Sequence, residues 1–268
     1  MEGMMTRLPV TDSTPDAKFR NAVALWLVFI TVNIIINGTV PFMLGADMRA
    51  WTTSTAKSLL YPLLLYGGIF LVVPLLLVKG SGTIKKPTFL IPLIVALVSI
   101  ELWHVLRGIG TLVIAVLAYL HVRFDLSELG FRSRGWKGDV LAIIIPAALS
   151  LLPLLFRGSP LTFTPGKALL GGIDRLFFNP ASSVENLFYF GFMTDRLSYK
   201  TGRVGTPLLI ATMYTVHEMT NPEYWYSGMS FAFVFIGILI FAALYLWRRS
   251  AIVIWVADGL RWIVSLLF

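Results

Sequence analysis

The sequence predicts an all-α protein that crosses a membrane several times, as a bundle of about eight or nine transmembrane helices. Of its 268 residues, 57% are hydrophobic, whereas soluble proteins average roughly 45–50%. Only 13% are charged, about half the usual fraction. Apolar stretches recur along the chain, and several approach the roughly 20 residues that a helix needs to cross a bilayer. This composition excludes a soluble globular domain and a disordered chain.

The formal net charge of +8 arises from 22 basic and 14 acidic residues. In membrane proteins, basic residues concentrate in the cytoplasmic loops, so we interpret this excess as an orientation signal and expect no nucleic-acid partner. The chain contains no cysteine, which excludes disulfide bonds, a thiol nucleophile, an iron–sulfur cluster and a thiolate zinc site. The first partner that the sequence predicts is therefore the lipid bilayer.

The predicted spans follow one another along the chain. They cover residues 22–40, 58–78, 88–121, 139–156, 183–197, 204–217, 226–247 and 250–268. The third block has 34 residues, so it is either one long tilted helix or a tight hairpin that turns near residues 107–110. A single helix gives eight spans, and a hairpin gives nine.

The chain divides into a tail and two blocks of helices. We expect residues 1–21 to form a polar cytoplasmic tail. Residues 22–121 should form the N-terminal transmembrane helices, and residues 122–268 should form the second block of helices. Acidic residues precede the first span and no small-residue cleavage site follows it, so we expect a retained anchor rather than a signal peptide. Residues 157–180 are broken by glycine and proline, but within them residues 167–178 predict a helix at the membrane interface.

Basic clusters set the predicted orientation, because cytoplasmic loops are rich in lysine and arginine. The clusters that we expect to face the cytoplasm are Lys79, Lys85 and Lys86; Arg123, Arg132, Arg134 and Lys137; Arg196, Lys200 and Arg203; and Arg248 and Arg249. The loop 217–225 holds acidic residues and no basic one, so we expect it to face outward. These assignments alternate correctly only if residues 88–121 form a hairpin, which favours nine spans.

Some polar residues inside the spans are expected to be structural. Asn33 and Asn37 lie four residues apart in the first span, and we expect them to hydrogen-bond a neighbouring helix. Glu101, His104 and Arg107 recur at every third position and share one helix face. A structural network is the favoured interpretation of these three residues, and a substrate or proton site is the alternative.

Three other ionisable residues are candidates for catalysis, because burying such groups in a membrane is costly. Glu185 lies near the start of one predicted helix and His217 at the end of the next, so antiparallel packing places both at one membrane face. The carboxylate can take a proton from water, while the imidazole orients the water or stabilises the developing oxyanion. Asp258, in the last helix, could hold the imidazole in one tautomer.

A buried network that only fixes helix packing is the alternative, and the pattern alone favours it over catalysis. The pair His217–Glu218 is typical of the start of a zinc-protease helix, but Asn221 stands where the second histidine is required. The sequence contains no serine-hydrolase motif.

The residues around Glu185 form a recognisable motif. Glu185 is followed by Asn186, and the aromatic Tyr189 precedes Phe190 and Gly191. This stretch matches a Glu-Glu-x-x-x-Arg-Gly motif at its first glutamate, its usual aromatic residue and its glycine. Asn186 replaces the second glutamate, and Phe190 replaces the arginine.

Two further motifs follow in the same order. Residues 213–217 correspond to Phe-x-x-x-His, with Met213 at the phenylalanine position and the histidine kept as His217. Asp258 and Trp262 occupy the positions of a His-x-x-x-Asn motif. Together the three motifs resemble the CPBP intramembrane protease family, which includes the type II CAAX prenyl proteases and bacteriocin-processing relatives. The resemblance covers residues 124–268 and identifies residues 122–268 as the CPBP-like core.

The resemblance implies an integral membrane endopeptidase of a prokaryotic plasma membrane, which cleaves a membrane-tethered protein or peptide with a glutamate-activated water. The implied catalytic residues are Glu185, His217 and Asp258, and the implied substrate-binding or supporting residues are Asn186, Tyr189, Asn221 and Trp262. No cofactor is expected, although the three catalytic side chains could alternatively hold a divalent metal. The alternatives to an enzyme are a degenerate relative that acts as a membrane scaffold or regulator, and, with less support, a transporter.

Overall fold

The computed structural model describes residues 14–52, 54, 57, 60, 64–65, 68–70, 73–74, 77, 134–151, 163–178, 185–226 and 230–267. Within these ranges the regular structure is entirely helical, which confirms the predicted all-α class. The predicted block 88–121, with Glu101, His104 and Arg107, lies outside the described residues. The span 58–78 is described only at scattered positions.

The first helix, α1, covers Pro15–Ile34 and continues through the π-helical turn Ile35–Thr39 into α2, Val40–Met43. Thr14 is a favourable N-cap for α1, because its side chain accepts a hydrogen bond from the Ala17 backbone N–H. Proline in the first turn favours the same start, since its fixed φ is helical.

The remaining elements follow in chain order. They are α3 (Met48–Thr52), α4 (Trp136–Leu149), α5 (Pro165–Ile173), the π-helical segments Asp174–Phe178 and Leu187–Met193, α6 (Thr194–Met219), α7 (Pro222–Tyr226), α8 (Phe231–Arg248) and α9 (Ala251–Leu267). The predicted helix 167–178 is confirmed as helical, since it corresponds to α5 and the π-helical segment after it. Its position at a membrane interface stays a prediction.

Two helices in the described ranges are long and apolar enough to cross a membrane, namely Pro15–Met43 and Phe231–Arg248. They correspond to the predicted spans 22–40 and 226–247. Their length and composition indicate membrane association.

A sharp break at Gly202 separates the predicted spans 183–197 and 204–217. There the backbone adopts φ 65° and ψ −165° inside α6, a conformation that residues with a Cβ rarely adopt. The chain is helical on both sides of this break. Glu185, before the first part, contacts Tyr214 in the second part, so the two parts pack side by side. Hydroxyl groups form hydrogen bonds at this break. The Thr206 hydroxyl donates to the Gly202 carbonyl and lies 2.7 Å from the Thr201 hydroxyl.

The core forms around the π-helical segment Leu187–Met193, all of whose side chains are buried. Phe188 stacks on Phe70 with ring centroids 4.1 Å apart, and Phe29 packs on Phe70 at 4.9 Å. Around this core, α6 packs along α1 and α8, and α9 packs along α4 and α5. The segment that carries the Glu185 motif is thus held at the centre of the described bundle.

Two arginines of the clusters that we expect to face the cytoplasm are buried within the chain, and the side of the membrane on which they lie stays a prediction. Arg196 is 1% exposed and lies over the Phe192 ring, 3.6 Å from its centroid. Arg248 is 7% exposed and donates to Asp139 and to the Gly135 carbonyl, each at 2.8 Å. Burial is possible because each guanidinium meets an aromatic face or acceptors, so its charge does not depend on water.

Close packing of α9 gives a first prediction. Replacing Gly259 by alanine is expected to lower the free energy of unfolding by about 1–3 kcal/mol, the usual cost of overpacking. A Cβ at this position would overlap the branched end of Leu176, which lies in the π-helical segment Asp174–Phe178. The measurement is unfolding of the detergent-solubilised protein by sodium dodecyl sulfate, followed by helical circular dichroism.

Gly237→Ala in α8 is the matched control, because no described atom lies within 4 Å of the Cβ position there. Alanine should stabilise this helix by up to about 1 kcal/mol, because glycine is a poor helix former. Equal stability of the Gly259→Ala protein and the wild type would contradict the close approach of the two segments.

Candidate functional site

Glu185 lies immediately before the π-helical segment Leu187–Met193 and is 4% exposed. Its Oε2 atom accepts a hydrogen bond of 2.9 Å from the Tyr214 hydroxyl. Tyr214 belongs to α6 and lies one helical turn before His217. The tyrosine therefore connects the first predicted catalytic residue to the helix that carries the second.

His217 is 2% exposed and surrounded by aromatic rings. The Phe29 ring meets it edge-on at 4.7 Å, the Tyr189 ring stacks on it at 6.0 Å, and the Tyr214 ring lies at 5.6 Å. Glu185 and His217 thus share Tyr214 as a neighbour. Their common position at one membrane face stays a prediction. Tyr189, a predicted supporting residue, is fully buried beside them.

Asp258 is 4% exposed and ion-paired with two arginines. Its Oδ2 accepts from Arg175 Nε at 2.9 Å, and its Oδ1 accepts from Arg261 Nη2 at 2.8 Å. The described partners of this carboxylate are therefore guanidinium groups. Its role in fixing the His217 tautomer stays a prediction.

A cavity of about 210 Å³ opens beside these residues. Polar groups on its wall include Arg175, Asn186, Tyr214, Glu218, Tyr224, Asp258 and Arg261. Phe190 and Trp262 contribute aromatic surface, and α8 closes one side with apolar residues. Of the predicted site residues, Asn186, Asp258 and Trp262 line the cavity directly. Glu185 reaches it through Tyr214, which is itself a lining residue.

Glu218 is a cavity residue that the sequence analysis did not assign to the site. It is 5% exposed, and its Oε2 atom has no hydrogen-bond partner in the described part of the chain. It lies just beyond the predicted span 204–217, where burial and the charge of Glu185 raise the pKa of Glu218 to about 8. Its spacing of four residues from Tyr214 was the available signal, because such residues share a helix face.

Arg175 and Arg261 also line the cavity and were not assigned to the site from the sequence, and the same is true of Tyr214 and Tyr224. Arg261 follows Asp258 by three residues in α9, a spacing from which their ion pair could have been predicted. Arg175 comes from the π-helical segment Asp174–Phe178, and nothing in its local sequence indicates this partner. Its guanidinium also lies 5.5 Å from the Trp262 ring centroid, which fixes it against the cavity wall.

A second polar cluster holds the end of α6 against the first helix. Asn33 donates to the Thr220 hydroxyl at 2.6 Å, which confirms its expected contact with a neighbouring helix. Asn37 donates to Asn33 of the same helix at 2.7 Å. Asn221, a predicted supporting residue, accepts from the buried Lys57 at 3.1 Å. These bonds position the helix end that carries His217 and leave Asn221 outside the cavity wall described above.

The described side chains do not support the alternative in which Glu185, His217 and Asp258 hold a divalent metal. Among the residues with described coordinates, no three or more His, Cys, Asp or Glu side chains are grouped so that they could hold a metal ion. Asp258 directs both of its oxygens at arginines.

Comparison with models of protein families, with curated proteins and with solved structures gives no match to this chain. The resemblance to the CPBP family therefore depends on the motif residues alone.

Proposed function

We propose that the protein is an integral membrane endopeptidase of the CPBP type, which hydrolyses a peptide bond in a membrane-tethered protein or peptide. The observation that carries this proposal is the hydrogen bond from Tyr214 to Glu185. Tyr214 lines a cavity whose wall contains carboxylate groups as well as guanidinium groups. A buried carboxylate beside such a cavity can activate water, and fixed N–H and O–H donors can stabilise an oxyanion.

In this mechanism Glu185 takes the proton of a water molecule that enters from the cavity. His217 orients that water, and its own position is fixed by the rings of Phe29, Tyr189 and Tyr214. Arg175 and Arg261 supply positive charge near the developing oxyanion, in surroundings where hydrogen bonds are stronger than in water.

The proposal includes eight or nine spans, insertion in the plasma membrane of a prokaryote, and the division into a tail, N-terminal helices and the core 122–268. The apolar outer faces support it. On α1, Leu27 and Val28 are each 54% exposed, and on α8 Phe233 is 71% exposed. Side chains of this kind are stable at a surface when lipid covers them.

The test uses the full chain, reconstituted in liposomes of phosphatidylethanolamine and phosphatidylglycerol. The probe is a pool of quenched fluorescent peptides of mixed sequence, each tethered to the liposome by an acyl chain. We expect the wild type to release fluorescence and Glu185→Gln to lower the rate by about 10²- to 10⁴-fold, the usual contribution of a general base.

Asp16→Asn is the control for removing one acidic residue, because Asp16 is exposed, forms an ion pair with Lys200 and does not line the cavity. It should cleave at the wild-type rate. If the wild type releases no fluorescence, or if Glu185→Gln cleaves as fast as the wild type, the proposed function is wrong.

The second candidate is a degenerate relative that binds or scaffolds membrane proteins. The enclosure of His217 by aromatic rings and the pairing of Asp258 with two arginines favour it, because such networks also fix helix packing. It predicts that no variant and no wild-type protein cleaves the peptide pool.

A further inference from the structure

We propose that Glu218 is a second catalytic carboxyl group, which donates a proton to the leaving nitrogen of the cleaved peptide bond. This inference rests on the proposed endopeptidase function and adds a residue that the three sequence motifs do not include.

The position of Glu218 is the first argument. Its side chain lines the cavity, where a peptide would bind, whereas Glu185 reaches that cavity through Tyr214. Its Oε2 atom is buried and has no hydrogen-bond partner among the described groups. A buried polar atom without a partner is costly, and a polar ligand group in the cavity would supply one.

The neighbours of Glu218 are the second argument. The Glu218 carboxyl lies within hydrogen-bonding reach of Tyr214 on its own helix and of Tyr224 on α7. The charges of Glu185 and of Arg175 also act on it. Two carboxyl groups that are buried close together retain a proton between them, because a second negative charge there is costly. Glu185 accepts the Tyr214 hydrogen bond, whereas burial raises the pKa of Glu218, so we assign the shared proton to Glu218.

The two carboxyl groups can then divide the reaction between them. The oxygen of a water molecule bonds to the carbonyl carbon while Glu185 takes one of the water's protons. The C–N bond breaks, its electron pair goes to the nitrogen, and the Glu218 proton follows. The products are a carboxylic acid and an amine, which leave Glu185 protonated and Glu218 ionised. Tyr214, a neighbour of both, restores the pair by giving its proton to Glu218 and taking one from Glu185.

The first test is the activity of Glu218→Gln in the peptide-pool assay, because glutamine has the same shape and cannot donate this proton. We expect its rate to fall by about 10²- to 10⁴-fold. We also expect the wild-type rate to fall as the pH rises through about 8, where Glu218 loses its proton. The residual rate of Glu218→Gln should lack this alkaline limb. Asp16→Asn should keep both the rate and the limb.

The second test does not depend on activity. The infrared spectrum of the wild type at pH 7 should contain the carbonyl stretch of a protonated carboxyl group. This band should be absent from the spectrum of Glu218→Gln and present in that of Asp16→Asn. Absence of this band in the wild type, or full cleavage by Glu218→Gln, overturns the assignment of Glu218 while the endopeptidase function stands. A wild type that cleaves nothing overturns both proposals, and the wild-type measurement identifies that case.

Discussion

Asp258→Ala is expected to lower the free energy of unfolding by about 3–5 kcal/mol, the cost of leaving a buried charge without its partner. Asp258 accepts from Arg175 at 2.9 Å and from Arg261 at 2.8 Å. Arg261 is 35% exposed and can turn to water, but Arg175 is only 19% exposed, so most of the cost falls on Arg175. Unfolding of the solubilised protein by sodium dodecyl sulfate, followed by circular dichroism, measures the change.

A double variant separates the two charges. Asp258→Ala with Arg175→Met should be more stable than Asp258→Ala alone, because it also removes the cation that the first change leaves unpaired. If Asp258→Ala unfolds at the wild-type detergent concentration, the two ion pairs contribute nothing to stability. A loss of peptide cleavage in that variant would then point to a catalytic role for Asp258.

Arg248→Met is expected to be similarly destabilising, by about 3–5 kcal/mol, because it leaves Asp139 buried without its cation. The arginine and aspartate side chains are 8% and 15% exposed, and the same guanidinium also donates to the Gly135 carbonyl. The pair joins α8 to the first turn of α4, so its loss should separate these helices. The same unfolding measurement applies.

Lys200→Met is the matched control for this prediction. Lys200 forms an ion pair of equal type with Asp16, but the two side chains are 46% and 70% exposed. Exposed pairs contribute little because water solvates both charges, so the change should stay within about 1 kcal/mol. Equal effects of Arg248→Met and Lys200→Met would contradict the argument from burial. Asp139→Leu combined with Arg248→Met should restore much of the lost stability.

The motif residues illustrate how far the sequence predicts the site. Glu185 and His217 share a neighbour in the structure because antiparallel helices bring the start of one beside the end of the next, and that relation can be predicted from spacing. The pair Asp258–Arg261 follows from a spacing of three residues in a helix. The ion pair from Arg175 to Asp258 does not, because 83 residues separate its members.

The sequence by itself determined the helical class, the apolar composition and the approximate positions of the long helices among the described residues, because these depend on the order of neighbouring residues. It also determined that a few charged residues would be buried. Only the tertiary structure decided which charges pair, since Arg248 meets Asp139 across 109 residues. It likewise placed Glu218 on the cavity wall. Partners so distant are selected by the packing of whole helices, and no local pattern of residues specifies that packing.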